Sequence, residues 1–299
     1  MNEQNILKII QSKIGTEYIG DDCAYLKDLG IVVTQDSLVE DIHFKRSWCT
    51  PYQLGYKSIA VNISDILASG ALPLYVTVAI SLPNDLNDKF VSEFYDGAKS
   101  ALCGADIVGG DITGSTDKIM VSISAIGSTK GRNISSRANA KDGYAVITKG
   151  LYGSSAAGLK ELMSGGKNKN LIKAHLEPKL EYRFSQEIAT IVKEPYAMMD
   201  TSDGLADALF KIADSSNVSI KIDYDLIPHL ENITREQVLF GGEDYKLVAV
   251  LPEKYVENIN GAVKIGTVLD SDFRLDVSGV KYNNYSDLNV YNHFGASNG

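Results

Sequence analysis

A mixed α/β fold in two domains is predicted by three features of the chain. Short β-branched runs alternate with helical stretches of about four turns. A polar, basic break interrupts that pattern at 128–143. The 299 residues exceed one ordinary domain of about 100–200 residues.

The elements follow in order. Residues 31–36, IVVTQD, are a β-branched run ending in a carboxylate, as in a buried strand entering a loop. Leu54, Ile59, Ile63, Ile66 and Leu67 then recur at near-helical spacing over 53–69, and Gly70 supplies a C-terminal stop. LYVTVAISLP at 74–83 reads as a strand closed by proline, and 88–103 as a helix. ADIVGGD at 105–111 and IMVSISAIGS at 119–128 read as further strands. The break STKGRNISSRANAKDG places a domain boundary near 140, giving domains 1–140 and 141–299. YAVITKG at 144–150 opens the second αβ pattern, and SGGKNKN at 164–170 reads as a mobile loop. Helices at about 179–193 and 203–215 and strands near 218–223, 246–251 and 273–277 complete it.

Charge and thiols narrow the function. Lys plus Arg total 29 and Asp plus Glu 38, a formal charge of −9 that argues against broad electrostatic binding to nucleic acid. An acidic chain that handles phosphates is expected to work through divalent cations. Cys23, Cys49 and Cys103 are odd in number and widely spaced, which suits a reducing compartment. The N-terminal MNEQNILKIIQSK lacks a signal peptide's basic start and apolar core, and no apolar run is long enough to span a bilayer. A cytoplasmic, membrane-free protein is expected.

Carboxylates recur beside glycine or hydroxyl residues where strands end or helices begin. They stand in Gly20-Asp21-Asp22, Thr34-Gln35-Asp36-Ser37, Asn62-Ile63-Ser64-Asp65, Gly109-Gly110-Asp111, Asp200-Thr201-Ser202-Asp203-Gly204 and Gly241-Gly242-Glu243-Asp244. Glycine allows tight turns and close backbone approach, and short Asp side chains there can gather oxygen-loving cations while a nucleotide supplies phosphate oxygens. Each motif alone is ordinary turn chemistry; their repetition points to a multi-metal phosphate site. Ser202 stands where a helix N-cap belongs, with Asp203 and Asp207 on one face. Those N–H groups suit a phosphate, or Ser202 and Asp203 merely cap the helix. P-loop, GxGxxG, zinc and GxSxG patterns are absent. On spacing alone, His43 between Ile42 and Phe44 reads as a packed histidine.

In order along the chain, IGDDCAYL, VTQDSLVEDIHF, LGYKSIAVNISDILASGALP, FYDGA, VGGDITGS, SSRANAKDG, MMDTSDGLADAL, GGEDYKL and VYNHF resemble the thiamine-monophosphate kinase family. The resemblance implies an aminoimidazole ribonucleotide synthetase-like fold whose N-terminal domain contributes strands to a homodimer barrel. It implies ATP as co-substrate, several Mg²⁺ ions, and direct in-line transfer of the γ-phosphoryl group to thiamine monophosphate, the last step to thiamine diphosphate. Asp22, Thr34, Asp36, Asp65, Asp111, Asp200 and Asp203 fall at family metal positions, with Asp36, Asp65, Asp111 and Asp203 central to catalysis. Tyr95, Gly110, Asp111, Arg137 and Ser202 fall at ATP positions, and His43, Glu243 and Tyr291 at substrate positions. The chain departs at Gln35, where the family usually has a hydroxyl residue, and at Ile112 and Gly114 in GGDITGS. A selenophosphate synthetase would carry a reactive N-terminal Cys and Lys, and a hydrogenase-maturation relative a C-terminal Cys; neither pattern stands here. A non-catalytic nucleotide sensor would have lost metal carboxylates that this chain keeps.

Overall fold

The computed structural model describes residues 3–16 and 18–290. Helix α1 (Glu3–Ile14) precedes strands β1 (Ala24–Leu26) and β2 (Ile31–Val39). Next come α2 (Pro51–Ala68), β3 (Leu72–Pro83), α3 (Asp88–Ser100), β4 (Asp106–Ser115) and β5 (Met120–Ser128). These strands form a five-stranded sheet in the order β1-β2-β5-β3-β4, parallel only between β3 and β4. The register sets Thr34 opposite Ala125 and Asp36 opposite Ile123. The even-numbered side chains of β2 therefore face α2, and Gln35 and Ser37 face the other way, where they bond Ser122.

Helix α2 is the support on which this half is built. Thr50 accepts the Gln53 N–H at 3.2 Å, in a reciprocal capping box with Pro51 in the first turn. Gly70, at φ +77°, takes the left-handed turn that stops it. Nearly every α2 residue from Leu54 to Ala68 is buried. A Cβ on Gly55 would lie 1.9 Å from the Phe94 carbonyl oxygen, so α2 and α3 cross too closely for any other residue.

The second half carries β6 (Tyr144–Thr148), α4 (Ser154–Ser164), α5 (Lys169–Leu176), α6 (Tyr182–Ile191), β7 (Ala197–Asp200) and α7 (Leu205–Ser216). It continues as β8 (Ser219–Ile222), α8 (Arg235–Phe240), β9 (Leu247–Pro252), β10 (Val263–Leu269), β11 (Leu275–Val277) and β12 (Val280–Tyr282). Its seven-stranded sheet runs β12-β11-β8-β10-β6-β9-β7. One face packs α7 into a core with Leu209, Ile220, Val248 and Ile265. From the other, Ile147, Phe184, Ile188 and Met198 join Ile59, Ile63 and Ile66 of α2 in a second core. The two halves therefore share a core through α2.

Four expectations change. The strand expected to enter a loop at Asp36 runs on to Val39, and the one expected to end at Asp111 runs on to Ser115. The helix expected over 88–103 ends at Ser100. The loop expected at 164–170 is shorter, because Asn168 accepts the Leu171 N–H at 3.3 Å and caps a helix that takes in Lys169 and Asn170. Among the described residues, no helix is long and apolar enough to cross a membrane.

Candidate active site

Where α2 meets the end of β7, three carboxylates converge. Asp22 comes from the loop before β1, Asp65 from the last turns of α2 and Asp200 from the end of β7. One oxygen from each lies within 4.8 Å of the others. Burial raises the Asp65 carboxyl far above the usual range, with the charges of Asp200, Asp36 and Asp22 adding to it. Asp200 is pushed up to about 7, first by burial and then by Asp22. Asp22 is also raised by burial, against the opposing pull of Arg137. Hydroxyls hold the group in place: Thr34 Oγ1 donates to Asp65 Oδ2 at 2.6 Å, and Ser64 Oγ to Asp200 Oδ2 at 2.7 Å. Buried Asn62 accepts the Asp36 N–H at 2.8 Å and fixes that part of β2 beside the group. Crowded, desolvated carboxylate oxygens of this kind suit a hard divalent cation, which would relieve the repulsion that raises them.

Cationic side chains flank the group. Arg137 Nη2 donates to Asp22 at 2.9 Å and its backbone N–H to Asp21 at 2.7 Å, while its buried Nε makes no hydrogen bond. Lys211 bridges Asp203 at 3.2 Å and Asp207 at 2.8 Å. Ser202 is not the N-cap expected for α7. Gly204, at φ +110°, occupies that position, and Asp203 turns back to Lys211. The extended turn that only glycine reaches easily delays the helix to Leu205.

A second polar cluster forms toward the other end of α2. Lys57, with a side chain only 3% exposed, places Nζ 3.1 Å from Glu243 Oε1. His175 Nδ1 lies 3.4 Å from Glu243 Oε2 and 3.0 Å from Ser155 Oγ. Burial first, then Lys57, pushes His175 down to about 4, so it is neutral. Glu243 is held low despite burial, chiefly by the ammonium of Lys57. His43 Nδ1 accepts the Val39 N–H at 3.0 Å, which puts the proton of the neutral ring on Nε2. The loop bearing Glu243 is tightly constrained: Glu243 itself has φ +65°, and a Cβ on Gly242 would stand 2.7 Å from the Ser202 carbonyl. The neighbouring Asp244 has another task, accepting the Ser155 N–H at 2.8 Å at the start of α4.

The chain is similar to known proteins along most of its length. Residues 20–129 match the AIR synthase related protein N-terminal domain, and 143–274 the C-terminal domain. The thiamine-monophosphate kinase of Bacillus subtilis is 35% identical over 251 residues, covering 78% of this chain and 77% of that one. That of Aquifex aeolicus is 31% identical over 291 residues, covering 91% and 93%. A solved structure of AaThiL complexed with AMPPCP and TMP is 30% identical with a TM-score of 0.88, covering 98% of this chain and 97% of that one. The chain belongs to the thiamine-monophosphate kinase family.

Of the residues that the family pattern singles out, Asp22, Asp65 and Asp200 form the carboxylate trio, with Thr34 and Arg137 bonded to it and Asp36 beside it. His43 and Glu243 lie within electrostatic reach of each other. Asp203 is drawn to Lys211 and stands outside the close trio. Asp111 and Gly110 stand apart on β4, an exposed edge strand of the first sheet. A Cβ on Gly110 would lie 1.8 Å from the Val78 carbonyl oxygen, so this residue lets β4 run close to β3. Tyr95 packs edge-on against Phe94, centroids 5.4 Å apart, on the first core. Tyr291 lies outside the described residues. Gln35 points away from the carboxylates to Ser122 and Ser124, so this departure leaves their side of β2 unchanged. Ile112 and Gly114 lie exposed on β4. Asn62 and Ser64 stand in a motif that sequence reading named without giving them a role, whereas Lys57, His175 and Lys211 escape it. A lysine amid the apolar positions of α2 was the one visible sign of Lys57.

Two tests follow from these electrostatics. Because the folded His175 prefers to stay neutral, the unfolded chain binds its proton more readily between pH 6.5 and about 4. The stabilisation present above pH 6.5 is therefore lost on acidification. Urea denaturation should show about 2 kcal/mol more loss between pH 7.5 and 5 in the wild type than in His175→Asn; equal slopes would place the acid sensitivity elsewhere. Asp65→Asn removes one like charge from the buried trio. Its melting temperature in chelator should rise by a few degrees, at about 2–4 °C per kcal/mol, and added Mg²⁺ should stabilise it less than the wild type. A lower melting point in chelator would mean that the contacts Asp65 makes outweigh the repulsion it suffers.

Proposed function

We propose that the chain transfers the γ-phosphoryl group of ATP to thiamine monophosphate, giving thiamine diphosphate and ADP. The observation that carries this reading is the convergence of Asp22, Asp65 and Asp200 toward one end of α2, which pairs with Glu243 nearer its other end, in a chain of this family. Bound Mg²⁺ would neutralise phosphate charge and draw the two substrates together. Asp22, Asp65 and Asp200 would hold it, with Asp36 beside them and Thr34 and Ser64 fixing the carboxylate orientations. Asp111 and Asp203 are the further candidates for additional ions. Arg137 adds fixed positive charge for the nucleotide, and Tyr95, Gly110 and Ser202 are proposed nucleotide contacts.

At the acceptor end, His43 would donate from Nε2 and Glu243 would face the positively charged ring of thiamine monophosphate, with Tyr291 as a third proposed contact. The attacking oxygen belongs to a phosphate that is already anionic, so no general base is required. The neutral, buried His175 fits that absence. Direct in-line transfer without a phosphoenzyme follows, because positioning and charge compensation suffice.

We further propose a homodimer through the first half. Strand β4 leaves its outer edge open with nearly every residue exposed, and Ile112 is 71% and Val108 58% exposed. An unpaired apolar edge of this length invites pairing with a second copy. Gly110 and Asp111 lie on that edge and would meet the partner. The free thiols Cys23, Cys49 and Cys103 support a cytoplasmic location. Light scattering should report a dimer at micromolar concentration, and cell fractionation a cytoplasmic protein; a stable monomer or an extracytoplasmic protein would overturn these placements.

The activity itself is checked by coupled ADP release. ADP should form only with thiamine monophosphate and Mg²⁺ or Mn²⁺ present, and Asp65→Asn should lower kcat on the order of 10²–10³-fold. ADP formation without the acceptor, or in excess chelator, would refute the assignment.

A further inference from the structure

Lys57 is an unusual residue to find where it stands. It sits on the buried side of α2, between Tyr56 and Ser58, with its side chain 3% exposed. A buried ammonium is costly unless paired. Its pairing is incomplete: Nζ reaches Glu243 Oε1 at 3.1 Å but makes no geometrically sound hydrogen bond. An ammonium has three donors to place.

Glu243 is constrained from both ends. Its backbone has φ +65°, donates its N–H to the Ser202 carbonyl at 2.7 Å, and follows a glycine with no room for a side chain. Its carboxylate lies between Lys57 on one oxygen and His175 on the other, and His175 is in turn anchored to Ser155 at 3.0 Å. Lys57 also shares a helix with Asp65, eight residues further on, which is about 12 Å along the axis. One rigid, buried helix thus ties the acceptor-side carboxylate to the cation-side carboxylate.

We infer that Lys57 is a positioning residue for the acceptor, holding the Glu243 carboxylate by ion pairing from inside α2 and fixing its distance from the Asp65 end of the site. This rests on Glu243 being an acceptor contact, as proposed above. Without Lys57, the carboxylate keeps its strained backbone but loses the charge that orients its head. The acceptor suffers, and the nucleotide does not.

A mutant cycle of Lys57→Met, Glu243→Gln and the double variant tests this, with steady-state kinetics, equilibrium binding of thiamine monophosphate, and a melting curve for each. Lys57→Met should raise the KM for thiamine monophosphate by about 10- to 100-fold and leave that for ATP within about twofold. Glu243→Gln should do the same, and the double variant should be no worse than Glu243→Gln by more than about threefold, because the two residues act as one unit. Lys57→Arg should recover part of the loss, since it restores a cation. Multiplying effects, or equal losses for both substrates, would reduce Lys57 to a structural ion pair and overturn the inference. If Glu243→Gln raises the KM and Lys57→Met does not, the inference fails and the acceptor reading of Glu243 survives. If Glu243→Gln leaves the KM unchanged, that reading itself fails. Should Lys57→Met not fold, Lys57→Arg and Lys57→Gln in wild-type and Glu243→Gln backgrounds complete the same cycle with the same two outcomes.

Discussion

Asp22, Asp65 and Asp200 repel one another inside the protein, and much of the fold serves to keep them there. Each is anchored on a separate element, and none can retreat. Asp65 rides on a helix buried along most of its length. Asp200 ends a strand whose residues are all buried, and Ser64 ties it to α2 at 2.7 Å. Asp22 is pinned by Arg137. Like charges gathered at low solvent exposure are destabilising, so the arrangement costs stability unless a cation offsets it. Arg137 beside three carboxylates does not compensate them, and Lys211 is drawn to Asp203 and Asp207.

The same helix explains how two distant stretches of sequence act together. Its flank toward β2 meets Thr34 and Asp36, its far end meets Asp200, and its first turns meet Glu243 through Lys57. That is possible only because α2 lies at the junction of both halves, sharing a core with Phe184, Ile188 and Met198. Gly55 lets α3 close over it, and Gly70 releases the chain into β3 at once. A helix so enclosed has little freedom to bend, so spacing along it becomes spacing across the site.

What could be read from the chain follows from periodicity. Strands β3 and β5 and helix α2 were legible because their apolar residues repeat at a single clear period over nine or more residues, and β2 because of its β-branched run. Helices α4, α5 and α8 were not. The first is rich in Ser, Ala and Gly, and the others span only eight and six residues, too short for a face to declare itself. Strand β7 is four residues, AMMD. At the site, the carboxylates were visible beside glycine or hydroxyl residues and gained their proposed roles from resemblance. Local spacing misled at Ser202, because the glycine two residues on sets where α7 begins. His175 was invisible, since its partner Glu243 is far along the chain and only tertiary structure joins them.

The two ends of the site solve opposite electrostatic problems. At the Asp65 end, negative charge is left in excess, and burial pushes Asp200 up to about 7. At the Glu243 end, Lys57 balances the one carboxylate and His175 stays neutral. A divalent cation would therefore gain most at the trio and little at Glu243, where an ammonium already sits. The trio would then hold the cation for the phosphates, and Glu243 would remain to face the cationic ring of the proposed acceptor. On the proposed reading, a substrate with a negative end and a positive end would be oriented by how unevenly the chain has balanced its own charges.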